Sequence, residues 1–188
     1  MQRVVINGKS SHWIDIKAGV PQGSILGPIL FLVFIDDIVQ DIGSDIFLYA
    51  DDSTLMRVIT DPIRDIQELN IDLETISNWA YQWAVDFSPQ KCQYMIVSKK
   101  INKPTYTLVT FRGHSLPIVD THNHLGIIMT HNMSWESHIR ERIRKASSFI
   151  NILQRSAFIL PRSVKEKIYL TFIRPVIDYG CMIDDNSP

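Results

Sequence analysis

Two pairs of adjacent aspartates are the residues of this chain best suited to metal chemistry. Asp36 and Asp37 end a strongly apolar stretch, whereas Asp51 and Asp52 lie between Ile-Phe-Leu-Tyr-Ala and Ser-Thr-Leu-Met. Neighbouring carboxylates suit Mg²⁺, a hard cation that keeps several waters and takes its other ligands from substrate phosphates. A bound Mg²⁺ would support phosphoryl transfer, because it neutralises charge on the phosphate oxygens.

The surrounding sequence distinguishes the two pairs. The first pair ends a predicted helix, where it is most simply a polar helix exit. The second lies at or near the tip of a predicted hairpin, with strands over residues 46–50 and 53–58, which would hold both carboxylates rigidly. Because aspartate is common in turns, an ordinary hairpin turn is the alternative interpretation of Asp51 and Asp52.

Turn and cap residues predict the elements of the N-terminal half. Asn7-Gly8 predicts a first hairpin with a type I′ turn. Ser24 is a candidate N-cap for an apolar helix that is hydrophobic on every side and is therefore expected to be buried all round. Asp61 followed by Pro62 predicts the start of a long amphipathic helix, whose apolar residues recur every three or four positions.

The rest of the chain alternates short strands with helices. One helix is predicted after Ser134, and a last one from Pro161 to about Pro175, where the proline should kink or end it. Together the elements predict an α+β fold, an antiparallel sheet with helices packed on it followed by a helical C-terminal segment. Further strands are predicted over residues 92–97, 105–111, 118–119 and 125–129.

The amino-acid composition excludes several classes of protein. The chain has 188 residues, of which 45% are hydrophobic and 21% charged, and these values exclude a disordered chain or a coiled coil. Cys92 and Cys181 lack metal-ligand spacing, so a disulfide framework is not expected. The longest apolar run, residues 25–35, is about half the ~20 residues that a membrane span needs. We expect an intracellular protein, cytoplasmic or nuclear, without a membrane span or signal peptide.

The formal net charge of −1 conceals a basic C-terminal part. Between His138 and Arg174 there are nine basic residues and two acidic ones. Such a segment either faces a polyanion or is a solvated helix face. Arg140, Arg144 and Lys145 fall on the polar side of a predicted helix and are the candidate contacts to a nucleic-acid backbone.

Several ordered motifs resemble the reverse transcriptases of non-LTR, jockey-like retrotransposons. Gly-Val-Pro-Gln-Gly-Ser-Ile-Leu-Gly-Pro at 19–28 is followed by Tyr-Ala-Asp-Asp at 49–52. Phe-Ser-Pro-Gln-Lys-Cys at 87–92 and His-Leu-Gly-Ile at 124–127 come later, in the family's order. The resemblance covers essentially the whole chain. It implies a partial polymerase palm over residues 1–130 and part of a helical thumb over residues 131–188.

The resemblance also implies roles for individual residues. Asp51 and Asp52 match the family's metal-binding aspartates. Lys91 matches a lysine that gives a proton to the leaving phosphate, although a lysine at a strand end also fits. Leu125 and Gly126 match the turn that grips the primer, although a strand with a bulge also fits. The residues implied in nucleotide and template binding are Pro21, Gln22, Gly23, Tyr49 and Ala50.

The implied reaction is Mg²⁺-dependent transfer of deoxynucleotides from deoxynucleoside triphosphates to the 3′-OH of a DNA primer on an RNA template. The family's palm has a further essential aspartate before the first hairpin, with a fingers region ahead of it, and we find no match to either. We therefore expect this chain alone not to extend a primer. One alternative is a non-catalytic nucleic-acid-binding remnant that uses the basic C-terminal helices, and another is a decayed reading frame with no selected role.

Overall fold

A computed structural model of the chain describes residues 1–15, 19, 23–100, 108–155 and 158–181. The chain divides into two compact units, one of Met1–Cys92 with Pro104–Leu116 and the other of Gln93–Lys103 with Pro117–Pro188. The described elements are helices and two-stranded antiparallel sheets, which confirms the predicted α+β class. The division between palm and thumb at residue 130 stays a prediction.

The first unit opens with the predicted hairpin. Strands β1 (Val5–Ile6) and β2 (Lys9–Ser10) pair antiparallel. Asn7 and Gly8 have φ angles of 51° and 78°, as a type I′ turn requires of both central residues. The Asn-Gly signal was therefore sufficient to predict this element.

Helix α1 (Gly27–Ile35) begins where the sequence indicates but is not buried as expected. The Oγ of Ser24 accepts a hydrogen bond from the Gly27 N–H at 2.9 Å, so Ser24 does satisfy a free N–H group at the helix start. Within the described part of the chain, Gly27 is the buried residue of α1, and the side chain of Val33 is 72% exposed. The prediction of all-round burial is wrong, because α1 is apolar on every face whereas the described residues cover part of it.

Helix α2 (Pro62–Gln82) matches the prediction closely. The Asp61 side chain caps it by accepting from the N–H groups of Ile63 and Arg64 at 3.0 and 3.3 Å. Its apolar side is buried, including Ala80, which is fully inaccessible to solvent. This helix is the platform for the two later hairpins of the first unit.

The central hairpin consists of β3 (Asp45–Tyr49) and β4 (Asp52–Met56), each beginning one residue before its predicted start. A further short hairpin pairs β5 (Thr110–Phe111) with β6 (His114–Ser115). Asn70 of α2 binds the β5–β6 hairpin, since its Oδ1 accepts from the Thr110 N–H at 2.9 Å. Of the strand predicted over 105–111, residues 105–107 lie outside the described residues.

The second unit contains the hairpin of β7 (Thr121–His124) and β8 (Ile127–Thr130). The strand predicted over 92–97 is wrong, since this segment makes an isolated bridge from Tyr94 to Ile118. The strand predicted over 118–119 is likewise represented by this bridge alone. Pro117 supplies a carbonyl to the Tyr94 N–H at 3.1 Å but has no N–H of its own, so the ladder cannot extend toward Cys92.

Helix α3 (Glu136–Arg155) begins after Ser134, as predicted. The predicted last helix is divided into α4 (Arg162–Ile168), a π-helical turn over Tyr169–Ile173, and α5 (Arg174–Asp178). The π turn ends two residues before Pro175, whose missing N–H and ring clash favour such a distortion. The proline therefore interrupts the helix, and the chain continues helically to Asp178.

None of the described helices combines the length and the apolar character needed to cross a membrane.

Candidate metal and nucleic-acid site

The β3–β4 hairpin brings the two candidate metal ligands to its tip. Tyr49 pairs with Asp52, so Ala50 and Asp51 are the two residues of the turn. Asp51 therefore belongs to the turn, and Asp52 is the first residue of β4. Both aspartates are exposed. The structure thus presents two adjacent carboxylates to solvent at the end of a paired ladder, as the sequence predicted.

Ala50 adopts an unusual backbone conformation at this tip. Its φ angle is 50°, in the left-handed region that costs a non-glycine residue about 1 kcal/mol. Strain of this kind is concentrated at functional sites, where it fixes a shape that an unstrained turn would not give. The sequence contains no Asn-Gly or similar signal here, so this strain was not predicted.

A buried polar cluster anchors the other end of the hairpin to α2. Asp72 is 4% exposed and accepts from the Gly43 N–H at 2.9 Å and from the Ser44 hydroxyl at 2.5 Å. Arg57, which follows β4, lies 3.5 Å from the same carboxylate and also pairs with Glu68. The chain entering β3 and the chain leaving β4 are therefore both fixed to one helix.

Sequence reasoning missed this anchor, although a signal for it was present. Asp72 lies three residues after Leu69 and four before Ile76, on the apolar face of α2. A carboxylate on that face must be paired when the face is buried. The anchor matters for the site because it leaves the tip as the free end of a hairpin held firmly at its base.

The structure describes some of the remaining candidate nucleotide-binding and catalytic residues and not others. Pro21 and Gln22 lie outside the described residues, and Gly23 is exposed with a φ angle of 79°. Lys91 is the exposed last residue of a 3-10 turn that begins at Pro89. The catalytic role of Lys91 and the nucleotide-binding role of the 21–23 loop stay predictions.

Cys92 follows Lys91 and is half-buried outside any regular strand. Its Sγ donates to the Ser88 carbonyl at 3.3 Å. Burial raises the pKa of the thiol, and the positive charge of Arg112 opposes that effect. The thiol is therefore held in its protonated form, as expected of a structural cysteine.

The proposed primer-gripping residues form a tight turn in the second unit. His124 pairs with Ile127, which leaves Leu125 and Gly126 as the two turn residues, with φ angles of 49° and 82°. The predicted strand over 125–129 therefore starts at Ile127, and the alternative of a bulge is wrong. Two positive φ angles in a two-residue loop are the conformation of a type I′ hairpin turn.

The three candidate phosphate-binding residues lie exposed on α3, but each is paired with an acid of the same helix. Arg140 lies 2.6 Å from Glu136, Arg144 lies 2.7 Å from Glu141, and Lys145 lies 3.6 Å from Glu141. The hydrogen bond from Arg144 is the main reason that the pKa of Glu141 falls to about 2. The spacing of three or four residues along one helix is itself a signal for such pairs, which the sequence interpretation missed.

The described residues contain no group of three or more His, Cys, Asp and Glu side chains arranged to hold a metal ion. The hairpin tip offers two exposed carboxylates. This donor set matches a hard cation that arrives with phosphate oxygens and water as its remaining ligands.

The family model and three relatives that match this chain carry the name of an RNA-directed or RNA-dependent DNA polymerase. A family model described as "Reverse transcriptase (RNA-dependent DNA polymerase)" matches residues 1–129. The chain is 26% identical over 193 residues to the "RNA-directed DNA polymerase from mobile element jockey" of Drosophila melanogaster. It is 27% identical over 191 residues to the protein of the same name in Drosophila funebris. It is 25% identical over 199 residues to the "Probable RNA-directed DNA polymerase from transposon BS" of Drosophila melanogaster.

The alignments cover nearly all of this chain but a small part of each relative. The alignments with the two jockey proteins cover 96% of this chain but 21% of each relative, and the alignment with the transposon BS protein covers 97% and 22%. The chain thus spans about a fifth of the length of the curated relatives that it matches. No solved structure matches the chain.

Proposed function

This chain belongs to the reverse transcriptase family, and from that premise we propose that it forms the metal-binding part of a retrotransposon RNA-directed DNA polymerase. The reaction is the transfer of a deoxynucleotide to the 3′-OH of a DNA primer on an RNA template. One observation carries the proposal: Asp51 and Asp52 stand side by side, exposed, at the tip of a hairpin anchored at its base.

The residues at the tip fit Mg²⁺ bound to a nucleoside triphosphate. Asp51 and Asp52 supply hard oxygen donors, and their exposure leaves room for phosphate oxygens to complete the coordination. When bound, the ion would neutralise charge on the triphosphate. Ala50 contributes a small side chain at the turn, which lets a primer end approach the carboxylates closely. Tyr49 is 64% exposed and is available to contact the nucleotide.

Two further parts of the chain complete the proposed site. Lys91 is exposed and carries a proton that it could give to the departing pyrophosphate. Gln22, with its neighbours Pro21 and Gly23, would contact the incoming nucleotide and the template.

Binding of Mn²⁺ as a paramagnetic substitute for Mg²⁺ tests the proposal without requiring turnover. Electron paramagnetic resonance of the whole chain with a deoxynucleoside triphosphate would give the affinity for the ion. We expect Asp51→Asn to weaken binding by about tenfold, which equals roughly 1.4 kcal/mol of binding free energy. Asp36→Asn is the matched control, because Asp36 is also exposed and also has an aspartate as its neighbour in sequence. Equal effects of the two substitutions would reject the proposal.

A second candidate function is non-catalytic nucleic-acid binding, favoured by the exposed basic row Arg140, Arg144 and Lys145 on α3. If this is the function, Asp51→Ala leaves the affinity for an RNA–DNA duplex unchanged. Replacing the three basic residues with alanine lowers that affinity and flattens its dependence on salt. Absence of duplex binding by the native chain at low salt would reject this candidate.

A further inference from the structure

The side chain of Tyr179 reaches from the end of α5 to the turn between β7 and β8. Its hydroxyl donates a hydrogen bond to the Leu125 carbonyl. Its ring lies against Gly126 so closely that a Cβ added there would be 3.3 Å from the ring. The space that Gly126 leaves by lacking a side chain is therefore occupied by an aromatic side chain of the same unit.

The turn needs such support. Leu125 holds a φ angle of 49°, which strains a residue that has a Cβ. In a two-residue turn, the carbonyl of the first turn residue points away from the strand ladder and has no partner within it. The Tyr179 hydroxyl occupies that free acceptor and so stabilises the strained peptide that joins Leu125 to Gly126.

Tyr179 is itself held in place from two directions. Its N–H donates to the Pro175 carbonyl at 3.1 Å, which closes the last turn of α5. Arg142 of α3 donates through Nε to the Val176 carbonyl at 3.1 Å and so ties α5 to α3. Gly180 follows with a φ angle of 75°, and this turns the chain at the helix end.

The same helix α3 also holds the strand that leaves the turn. His138 is 2% exposed, and its Nδ1 accepts from the Ile128 N–H of β8 at 3.3 Å. A Cβ added to Gly180 would lie 3.4 Å from the Nε2 of His138 and 3.7 Å from Ile127. Helix α3, strand β8, the turn and the end of α5 thus form one closed set of contacts.

From these contacts we infer that Tyr179 is a positioning residue that sets the shape of the Leu125–Gly126 turn for contact with the primer 3′ end. The inference rests on the proposed function, because the primer-binding role of the turn is what the resemblance to reverse transcriptases implies for Leu125 and Gly126. Tyr179 acts through Leu125 and Gly126. Its effect on primer binding is therefore indirect and specific to the end of the primer.

Amide hydrogen exchange, followed by NMR on the whole chain without nucleic acid, tests the support given by Tyr179. Tyr179→Phe removes the hydroxyl and keeps the ring. We expect the amide of Ile127 to exchange about fivefold faster, the effect of losing one hydrogen bond, while the amide of Met129, which pairs with His122 further along β8, is unchanged. Tyr169→Phe is the control, since Tyr169 is 45% exposed and Tyr179 is 51% exposed, both in the same unit.

Two results of the exchange experiment would overturn the inference. One is an unchanged rate at Ile127. The other is equal acceleration at every amide of the unit, which would mean that the hydroxyl stabilises the fold in general and does not shape the turn.

Primer binding provides the second measurement. Fluorescence anisotropy would compare an RNA–DNA duplex that has a recessed DNA 3′ end with a blunt duplex of the same length. We expect the native chain to prefer the recessed end and Tyr179→Phe to lose about fivefold in affinity for that end alone. A native preference that survives Tyr179→Phe overturns the inference and leaves the proposed function intact. No preference in the native chain rejects the primer-binding role of the turn, and the inference falls with it.

Discussion

Asp37 accepts a hydrogen bond from the indole N–H of Trp79 at 2.7 Å, and this contact separates the two aspartate pairs. One carboxylate of the first pair therefore holds the segment that follows α1 against α2. Asp36 and Asp37 begin a 3-10 turn directly after α1, so the prediction that they form a helix exit is confirmed. Asp51 and Asp52 remain exposed at a hairpin tip, where a ligand can reach both.

Truncation of Asp37 should therefore reduce stability. Asp37→Ala removes the acceptor of the Trp79 N–H, and we expect a loss of about 1 to 2 kcal/mol in the free energy of unfolding. Asp36→Ala and Asp51→Ala should each change it by less than about 0.5 kcal/mol, because these side chains are exposed. Urea denaturation followed by tryptophan fluorescence measures all three. A larger loss for Asp51→Ala than for Asp37→Ala would contradict the assignment of a structural role to the first pair.

The start of α2 should make stability depend on pH. Asp65 is 7% exposed and accepts from the N–H groups of Thr60 and Asp61 at 2.6 and 2.8 Å. These backbone hydrogen bonds, with the Thr60 hydroxyl and the Arg57 charge, lower the pKa of Asp65 below its usual 3.8. A lowered pKa in the folded state means that the ionised carboxylate stabilises the fold above pH 3.8, and that this contribution is lost as the pH falls through the folded-state pKa.

Asp65→Asn should accordingly be less stable than the native chain at neutral pH, and the difference should shrink as the pH falls below about 4. Urea denaturation at a series of pH values measures the difference directly. Asp61→Asn is a useful control, because asparagine also caps helices well. A difference between Asp65→Asn and the native chain that stays constant down to the lowest pH would show that Asp65 is not ionised in the fold.

Relief of the strain at Ala50 should increase the free energy of unfolding. Ala50→Gly should raise the free energy of unfolding by about 0.5 to 1 kcal/mol, because glycine adopts a positive φ angle without steric cost. Ala80→Gly, at a fully buried position in the last turn of α2, should lower it by about 1 kcal/mol, so the pair controls for the general effect of glycine. If the strain fixes the aspartates for metal binding, Ala50→Gly should also weaken binding of Mn²⁺. Lower stability for Ala50→Gly would mean that the turn does not hold Ala50 in a strained conformation.

Elements with local signals were predicted well, and features that depend on distant residues were not. Asp61-Pro62 and Asn7-Gly8 determine their own backbone conformation, so the start of α2 and the first turn could be placed to the residue. The tip of the β3–β4 hairpin was also found, because two apolar strands flank it. Burial of α1 was predicted wrongly, since composition shows that a helix is apolar without showing what covers it.

The contacts that shape the candidate sites join residues far apart in sequence. The Tyr179 hydroxyl and the Leu125 carbonyl are separated by 54 residues, and the Trp79 indole and Asp37 by 42. Periodicity and cap rules describe neighbours within a turn or two of helix, so neither contact could be derived from them. Asp72 is the exception, because a charged residue among the apolar positions of an amphipathic helix indicates by itself that a buried partner must be present.

The acids on α3 should limit binding of nucleic acid. Glu141 holds both Arg144 and Lys145, and its pKa of about 2 keeps it ionised at any pH used for binding studies. Glu141→Gln should therefore raise the affinity for an RNA–DNA duplex and steepen its salt dependence, by a slope of about 1 for each additional phosphate that the helix neutralises. Fluorescence anisotropy between low and moderate salt measures both quantities.

The matched control for Glu141→Gln is Glu74→Gln, which changes the net charge equally from an exposed position on α2 in the other unit. If the released Arg144 and Lys145 bind phosphate, Glu141→Gln should strengthen binding more than Glu74→Gln does. Equal increases from the two substitutions would mean that binding responds to total charge and that α3 does not contact the duplex. Exposed ion pairs within one helix contribute little to stability, so neither substitution should unfold the chain and the comparison reports a change in binding.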